Sequence, residues 1–341
     1  MTRPTEPRST MATAEPTTIE LTADGLLLEV VTAGAAVRRL VLDGGNGPVD
    51  VVLGFADPAL YGTGTDYLGA TIGRVGNRIA GGRFTLDGDE VRVETNEAGN
   101  TLHGGPEGFD RREWAVLDRA PDRVTFGLHS PDGDQGFPGA LDVTVTYAVA
   151  PGVVRIGYSA TTDRPTPVSL TNHTYVNLDG EASGRVDDHS LQLSSDAFTV
   201  VGPGLVPTGE QRDVTGTPFD FRASRPITEA LGAHDEQVAL GGGLDHNFAV
   251  RGTGLRHVAT LRGTSGRTLV VESDQPGVQV YTGAHFDGTV VGTSGTAYGP
   301  NAGIALETQG FPDALNHAGF PSNVLRPGET YTSTTTWTFS A

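Results

Sequence analysis

The chain reads as an all-β protein, a large antiparallel β-sandwich with few short helices, on three observations. Apolar residues recur with a period of two, most cleanly at Val143, Val145, Tyr147 and Val149 and again at Val154, Ile156 and Tyr158. Helical periodicity is nearly absent. Glycine (48 residues) and proline (21) are plentiful, as a chain that reverses direction many times requires.

β structure is expected from Ile19 onward. Residues 38–42 and 51–55 are short apolar runs separated by a Gly-Gly-Asn-Gly-Pro turn cluster. Residues 83–95 read as a hairpin, with Phe84 and Leu86 alternating before Asp87-Gly88 and Val91 and Val93 alternating after it. A second pair runs from Trp114 and Val116 through Ala-Pro-Asp to Val124, Phe126 and Leu128; Pro151-Gly152 turns the chain between the two cleanest runs. Residues 191–201, 257–262, 268–272, 278–281 and 331–339 continue the pattern. The one helical expectation is residues 225–234, opened by Ser224 as N-cap with Pro226 in the first turn. No linker, fixed-period repeat or compositional break divides residues 19–341, so a single domain is expected there. Residues 1–18 carry Pro, Thr and Glu where a secretory signal needs an apolar stretch; a disordered tail is expected, with Met11 an alternative start.

Composition narrows the chemistry. The chain has no cysteine, which excludes disulfides, thiolate metal sites and cysteine nucleophiles and suits a reducing compartment. All 23 basic residues are arginine, so a Schiff-base lysine and a phosphate-loop lysine are excluded too. A net charge of −18 argues against nucleic acid, whose binding is driven by neutralising phosphates, and favours a neutral small molecule. No run approaches the roughly 18 apolar residues that span a bilayer. A cytoplasmic monomer or weak dimer is expected, with no membrane partner.

Six stretches carry polar residues that a sandwich does not need. In residues 170–180 (LTNHTYVNLDG), His173 stands between Asn172 and Asn177, amid turn and strand-end residues that place it where a strand leaves a sheet. Imidazole gains or loses a proton near neutral pH, which suits proton transfer, although a lone histidine also serves as a hydrogen-bonded structural residue. Residues 69–81 (GATIGRVGNRIAG) set Arg74, Asn77 and Arg78 among glycines, and residues 100–105 (NTLHGG) put His103 before two glycines that let backbone approach a ligand. Glu307 ends an apolar run within 305–316 (ALETQGFPDALN), a costly place for a carboxylate unless it is paired or used. Asp245 lies in GLDHNF and Gln279 in VQVYTG. Taken singly, Arg78 also fits an ion pair, Asp245 a turn cap and Gln279 a satisfied core amide.

Together, residues 69–81, 100–114, 170–180, 245–248, 276–288 and 304–331 resemble the aldose 1-epimerase (galactose mutarotase) family, in the family's order over about residues 20 to 340. The block ETQGFPDALNHAGFPSNVLRPGETY is the most specific. The resemblance implies a galactose mutarotase-like supersandwich that interconverts α and β anomers of free aldoses of the glucose and galactose type without metal or organic cofactor. It implies Glu307 as general base, His173 as general acid, His103 as a helper near the ring oxygen and C1, and Asn77, Arg78, Asp245 and Gln279 as holders of sugar hydroxyls. Two departures stand out. After YTG the family commonly has Asn-Phe-Leu where this chain has Ala284, His285 and Phe286, and Val176 stands where Trp or Phe is common.

The chemistry is sound in its own terms. Opening a hemiacetal removes a proton from O1 and adds one to the ring oxygen; the aldehyde then turns and recloses from its other face. One acid and one base on opposite sides of the pyranose are expected to suffice, each contributing roughly 10²- to 10⁴-fold. Neither needs unusual tuning on this reading, and a bell-shaped pH profile follows, with an acid limb from Glu307 and an alkaline limb from His173. Three rivals remain at this point. A metal-dependent isomerase could use His103, His173 and Glu307 as ligands, although no His-x-His or His-Glu-x-x-His pair occurs. A glycosidase could use Asp245 and Glu307. A silent sugar-binding module would leave mutarotation at the buffer rate.

Overall fold

Alternating residues of the middle of the chain line up in a nine-stranded antiparallel sheet. Its order is Ala115–Ala120, Arg123–Ser130, Leu141–Ala150, Val153–Thr162, Tyr331–Ser340, Thr268–Ser273, Arg256–Arg262, Ser190–Leu193 and Arg225–Pro226. The computed structural model describes residues 16–43, 47–64 and 66–340. A six-stranded sheet carries Tyr175–Val176, Ile304–Gln309, Gly277–Tyr281, Asp245–Val250, Ser195–Val201 and Pro207–Asp213 in that order. Thr18–Ala23, Leu26–Val31, Ala36–Asp43 and Pro48–Asp50 form a third, four-stranded sheet. Their inner faces share one apolar cluster, which joins Leu28 and Val30, Val145, Tyr147 and Ile156, and Phe248, Val278 and Leu306. Each such side chain, fully removed from water, stabilises the fold by about 1.5–3 kcal/mol before entropy is counted.

The expected hairpins are present: Arg83–Leu86 with Asp89–Arg92, Ala115–Ala120 with Arg123–Ser130, and Leu141–Ala150 with Val153–Thr162. Four expectations need correction. The run at 191–201 is two strands in different sheets, Ser190–Leu193 and Ser195–Val201, because alternation reports a face but not which sheet the face belongs to. The expected helix shortens to Ile227–Leu231, with Pro226 at its N-cap and no side-chain capping bond, since Arg225 and Pro226 pair as a strand with Leu191 and Ser190. A second helix, Glu236–Gly241, follows; the Asp235 side chain accepts from the Gln237 and Val238 N–H groups. Residues 51–55 make only isolated bridges, at Val52 and Phe55. At the N-terminus, Thr18 already belongs to a strand, and the rest of the expected tail up to residue 15 lies outside the described residues.

Two anchors position the pocket. The Tyr147 hydroxyl, from the nine-stranded sheet, donates to the Ala35 carbonyl at 2.7 Å and accepts from Asn172 Nδ2 at 3.1 Å. The buried Arg74 guanidinium donates to the Ser130, Pro131, Pro138 and Gly139 carbonyls and to two hydroxyls, which pins the glycine-rich 69–81 segment.

Candidate active site

His173 lies in the break between the two-residue strands Thr171–Asn172 and Tyr175–Val176. Its N–H donates to the Ala70 carbonyl and its carbonyl accepts from Gly69 N–H, while the Asn172 side chain binds both the Gly69 carbonyl and Thr174. The imidazole is thus held from both sides and is buried. Glu307 sits in Ile304–Gln309, opposite Gln279 of Gly277–Tyr281, which in turn faces Asn247 of Asp245–Val250. Asp245 faces Tyr281 in the next row. Because side chains two apart share a face, Asp245, Gln279, Tyr281 and Glu307 all rise from one side of the six-stranded sheet. The other side carries Phe248, Val278, Val280 and Leu306 into the core.

The remaining groups come from loops. His103 has a positive φ of 52°, and the Asn77 N–H donates to its Nδ1 at 3.1 Å. Gly104 follows with φ +89°, where a Cβ would lie 1.9 Å from the Gly73 carbonyl oxygen, so only glycine fits that approach. Arg78 donates from Nε and Nη2 to the two carboxylate oxygens of Glu97, at 2.6 and 2.7 Å. Asn77, Arg78, Glu97, His103, His173, Asp245 and Glu307, with Tyr67, Leu102, Tyr175, Tyr281 and His285, line an open pocket of about 190 Å³.

At its floor His173 Nε2 is 3.6 Å from Glu307 Oε1. That is too close for a pyranose ring to lie between them. Side chains so placed could address a pyranose from one edge only, whereas the sequence reading expected an acid and a base on opposite sides of it. His173 Nδ1 and Glu307 Oε2 are buried without hydrogen-bond partners among the described residues, where a buried polar atom ordinarily has one. Gln279 stands one step back. It does not line the pocket, and its Nε2 donates to Asp245 Oδ1 at 2.6 Å.

Electrostatics departs from the expectation of ordinary tuning. Burial pushes the Glu307 carboxyl well above its usual range; the nearby Asp245 adds to this and the Arg78 cation opposes it. Burial lowers His173 to about 3 and holds His103 well below the usual histidine value. Asp245 is also raised by burial, against Arg78 and its Gln279 bond. Low dielectric disfavours charge on both members of the His173–Glu307 pair. The neutral pair and the ion pair hold the same single proton, so burial changes where that proton rests and not how many there are.

The possible ligand atoms of His103, His173 and Glu307 lie within 4.8 Å of one another. Nδ1 of His103 accepts from a backbone N–H, which leaves the proton on Nε2; that nitrogen faces the pocket as a donor and fits a sugar oxygen better than a cation. Around these groups stand aromatic rings, of which the sequence had marked only His285, as a replacement for the family's aromatic wall. Tyr67 packs on His103 and His173 with centroids 4.5 and 5.8 Å away. The Tyr281 and His285 rings stack at 5.7 Å, Tyr281 Oη lies 2.6 Å from His285 Nδ1, and His285 Nε2 is 3.4 Å from Asp66. His285 thus supplies a wall at the first family departure. Glu97 was missed entirely, since a glutamate in a polar turn carries no signal of its own.

The sequence model described as Aldose 1-epimerase matches residues 17–338. Galactose mutarotase of Homo sapiens is 43% identical over 326 residues, covering 94% of this chain and 93% of its own length. Aldose 1-epimerase of Escherichia coli (strain K12) is 39% identical over 325 residues, covering 93% of each. Among solved structures, an aldose epimerase homologue from C. elegans superposes with a TM-score of 0.89 at 32% identity, covering 95% of this chain and 99% of its own.

Proposed function

The chain belongs to the aldose 1-epimerase family and interconverts the α and β anomers of free aldoses, and we propose that His173 and Glu307 carry the two proton transfers. One observation supports this above the others: a buried imidazole and a buried carboxyl, 3.6 Å apart in a polar pocket, each with an atom that no described residue satisfies. The two hemiacetal oxygens of an aldose share one carbon, so adjacent acid and base can reach both from the same edge.

The hydroxyl groups of an arriving sugar hydrogen-bond to the Glu307 carboxylate and, with Arg78, favour its ionised form. The proton of the pair then resides on His173. Glu307 takes the O1 proton while His173 gives one to the ring oxygen; the C1–O5 bond breaks as the C1–O1 bond becomes a carbonyl. After a half-turn about C1–C2 the former ring oxygen attacks the other carbonyl face, its proton returns to His173, and Glu307 returns a proton to O1. Every proton is restored and no electrons leave the sugar. His103 Nε2–H donates at the reacting oxygens, and Asn77, Arg78 and Asp245 hold the hydroxyls. Gln279 acts by orienting Asp245 and not through the sugar.

As part of the same proposal, residues 19–341 work as one domain, since the pocket draws on residues from Tyr67 to Glu307, and the enzyme acts as a cytoplasmic monomer or weak dimer, in keeping with its cysteine-free, acidic sequence. The test is the optical rotation of freshly dissolved α-D-glucose and α-D-galactose. Wild-type protein is expected to speed the approach to equilibrium, and substitutions at His173 or Glu307 to remove the acceleration. A pair of folded variants that still turn over as wild type would sink the assignment.

A further inference from the structure

We propose that Glu97 makes the pocket selective for uncharged aldoses over anionic ones, by occupying the guanidinium that would otherwise receive a carboxylate or phosphate. The proposal rests on the epimerase reading of the same pocket. Arg78 is the one arginine among the described residues that line it, and the chain has no lysine. Its Nε and Nη2 are both committed to Glu97 in a paired fork, the geometry in which guanidinium binds carboxylates best. An anionic sugar would want that same fork.

Glu97 is built into place. Its backbone pairs with Asn100 across Ala98 and Gly99, whose φ values of 45° and 85° are both left-handed, as a tight two-residue hairpin turn requires. Next to it, the Asn96 side chain accepts from Leu102 N–H at 2.7 Å and donates to the Leu102 carbonyl at 3.0 Å. The Glu97 carboxylate therefore faces the pocket wall from a braced turn, with its side chain 33% exposed.

The other groups at the wall offer an anion nothing better. Asp245 and Glu307 are acids, and the rim imidazole of His285 is turned toward the Asp66 carboxylate. Burial keeps His103 from serving as a cation, and a proton on His173 is matched by the Glu307 carboxylate beside it. A uronate must therefore pull Arg78 away from Glu97, stranding a half-buried carboxylate, or lie beside two carboxylates with no free cation. Either arrangement costs on the order of one close charge–charge interaction, about tenfold or more in kcat/KM.

The experiment measures exchange between α and β H1 resonances by NMR for galactose and for galacturonate, with wild type, Glu97→Gln and Glu97→Asp. Wild type is expected to prefer galactose by about 30-fold or more in kcat/KM, and Glu97→Gln to narrow that preference by about tenfold, chiefly through the KM for galacturonate. Glu97→Asp, which keeps the charge, should hold a preference close to that of wild type. A folded Glu97→Gln whose preference stays within twofold of wild type overturns the role of Glu97. If that variant does not fold, wild type decides alone: galacturonate turned over within threefold of galactose overturns the proposal. Galactose left at the buffer rate by wild type would overturn the epimerase reading, and this proposal with it.

Discussion

Leu141–Ala150, in the nine-stranded sheet, alternates between buried and more exposed residues along its length, whereas Ile304–Gln309, in the six-stranded sheet, is buried at all six positions. The first strand has one face in the core and one toward water. The second has a core face, with Ile304 and Leu306, and a pocket face, with Ala305, Glu307 and Gln309. A polar side chain on a strand covered on both sides must be paired or used. Thr308 is paired, to Thr335 at 2.6 Å. Glu307 Oε2 and both amide atoms of Gln309 are not, and of these two residues only Glu307 lines the pocket. The supporting sheet spends its residues mainly on packing, while one face of the site sheet gathers unpartnered polar atoms of Asn247, Gln279, Glu307 and Gln309.

Exchanging the roles of the two sheets tests this contrast most severely. Glu307→Gln and His173→Asn are expected to lower kcat by roughly 10²- to 10⁴-fold each, measured by polarimetry. Glu307→Gln should also raise the melting temperature at pH 7. The folded-state value of this carboxyl is raised, so its contribution to stability is complete below the ordinary glutamate range and is lost as pH rises toward the folded value. Calorimetry should show the gain at pH 7 and its disappearance near pH 4; a drop in melting temperature at pH 7 would mean that the carboxylate is stabilised by its surroundings.

The converse change belongs in the supporting sheet. Leu261→Ala, at a fully buried position, is expected to cost about 2–5 kcal/mol by denaturant unfolding while the folded fraction keeps its kcat. Lost turnover in the folded protein would show that the two sheets do not divide labour in this way. The mildest probe is the pH dependence of kcat/KM. The pair stops working when it gains a second proton, below the His173 value near 3, or loses its only one, above the raised Glu307 value. The acid limb is expected from His173 and the alkaline limb from Glu307, the reverse of the bell expected from ordinary pKa values. A break near 6.5 would show that His173 is hydrated.

The same contrast explains what could be read from the amino acids. Where one face meets water, as at Val143–Tyr147–Ile156, alternation announces the strand and its register. Where the chain crosses between sheets at Ser194, alternation continues and hides the crossing. The Glu236–Gly241 helix is too short to show a period. His173, Glu307, His103, Asn77, Arg78 and Asp245 stood out because polar residues interrupted apolar or glycine-rich runs. Glu97 and Tyr67 act through neighbours distant in sequence, and no local pattern marks such contacts; His285 was marked only as a departure from the family's pattern. Protonation was misjudged for a related reason, since burial belongs to the fold and not to the residue.

Tyr147 carries that lesson into protein engineering. Its hydroxyl, reaching out of the nine-stranded sheet, secures the asparagine next to His173. A graft that moved only the pocket loops and the Ile304–Gln309 strand onto a foreign scaffold would leave Asn172 without that partner and the imidazole free to drift. The smallest transplantable version of this catalyst therefore includes at least one residue from the part of the molecule that performs no chemistry.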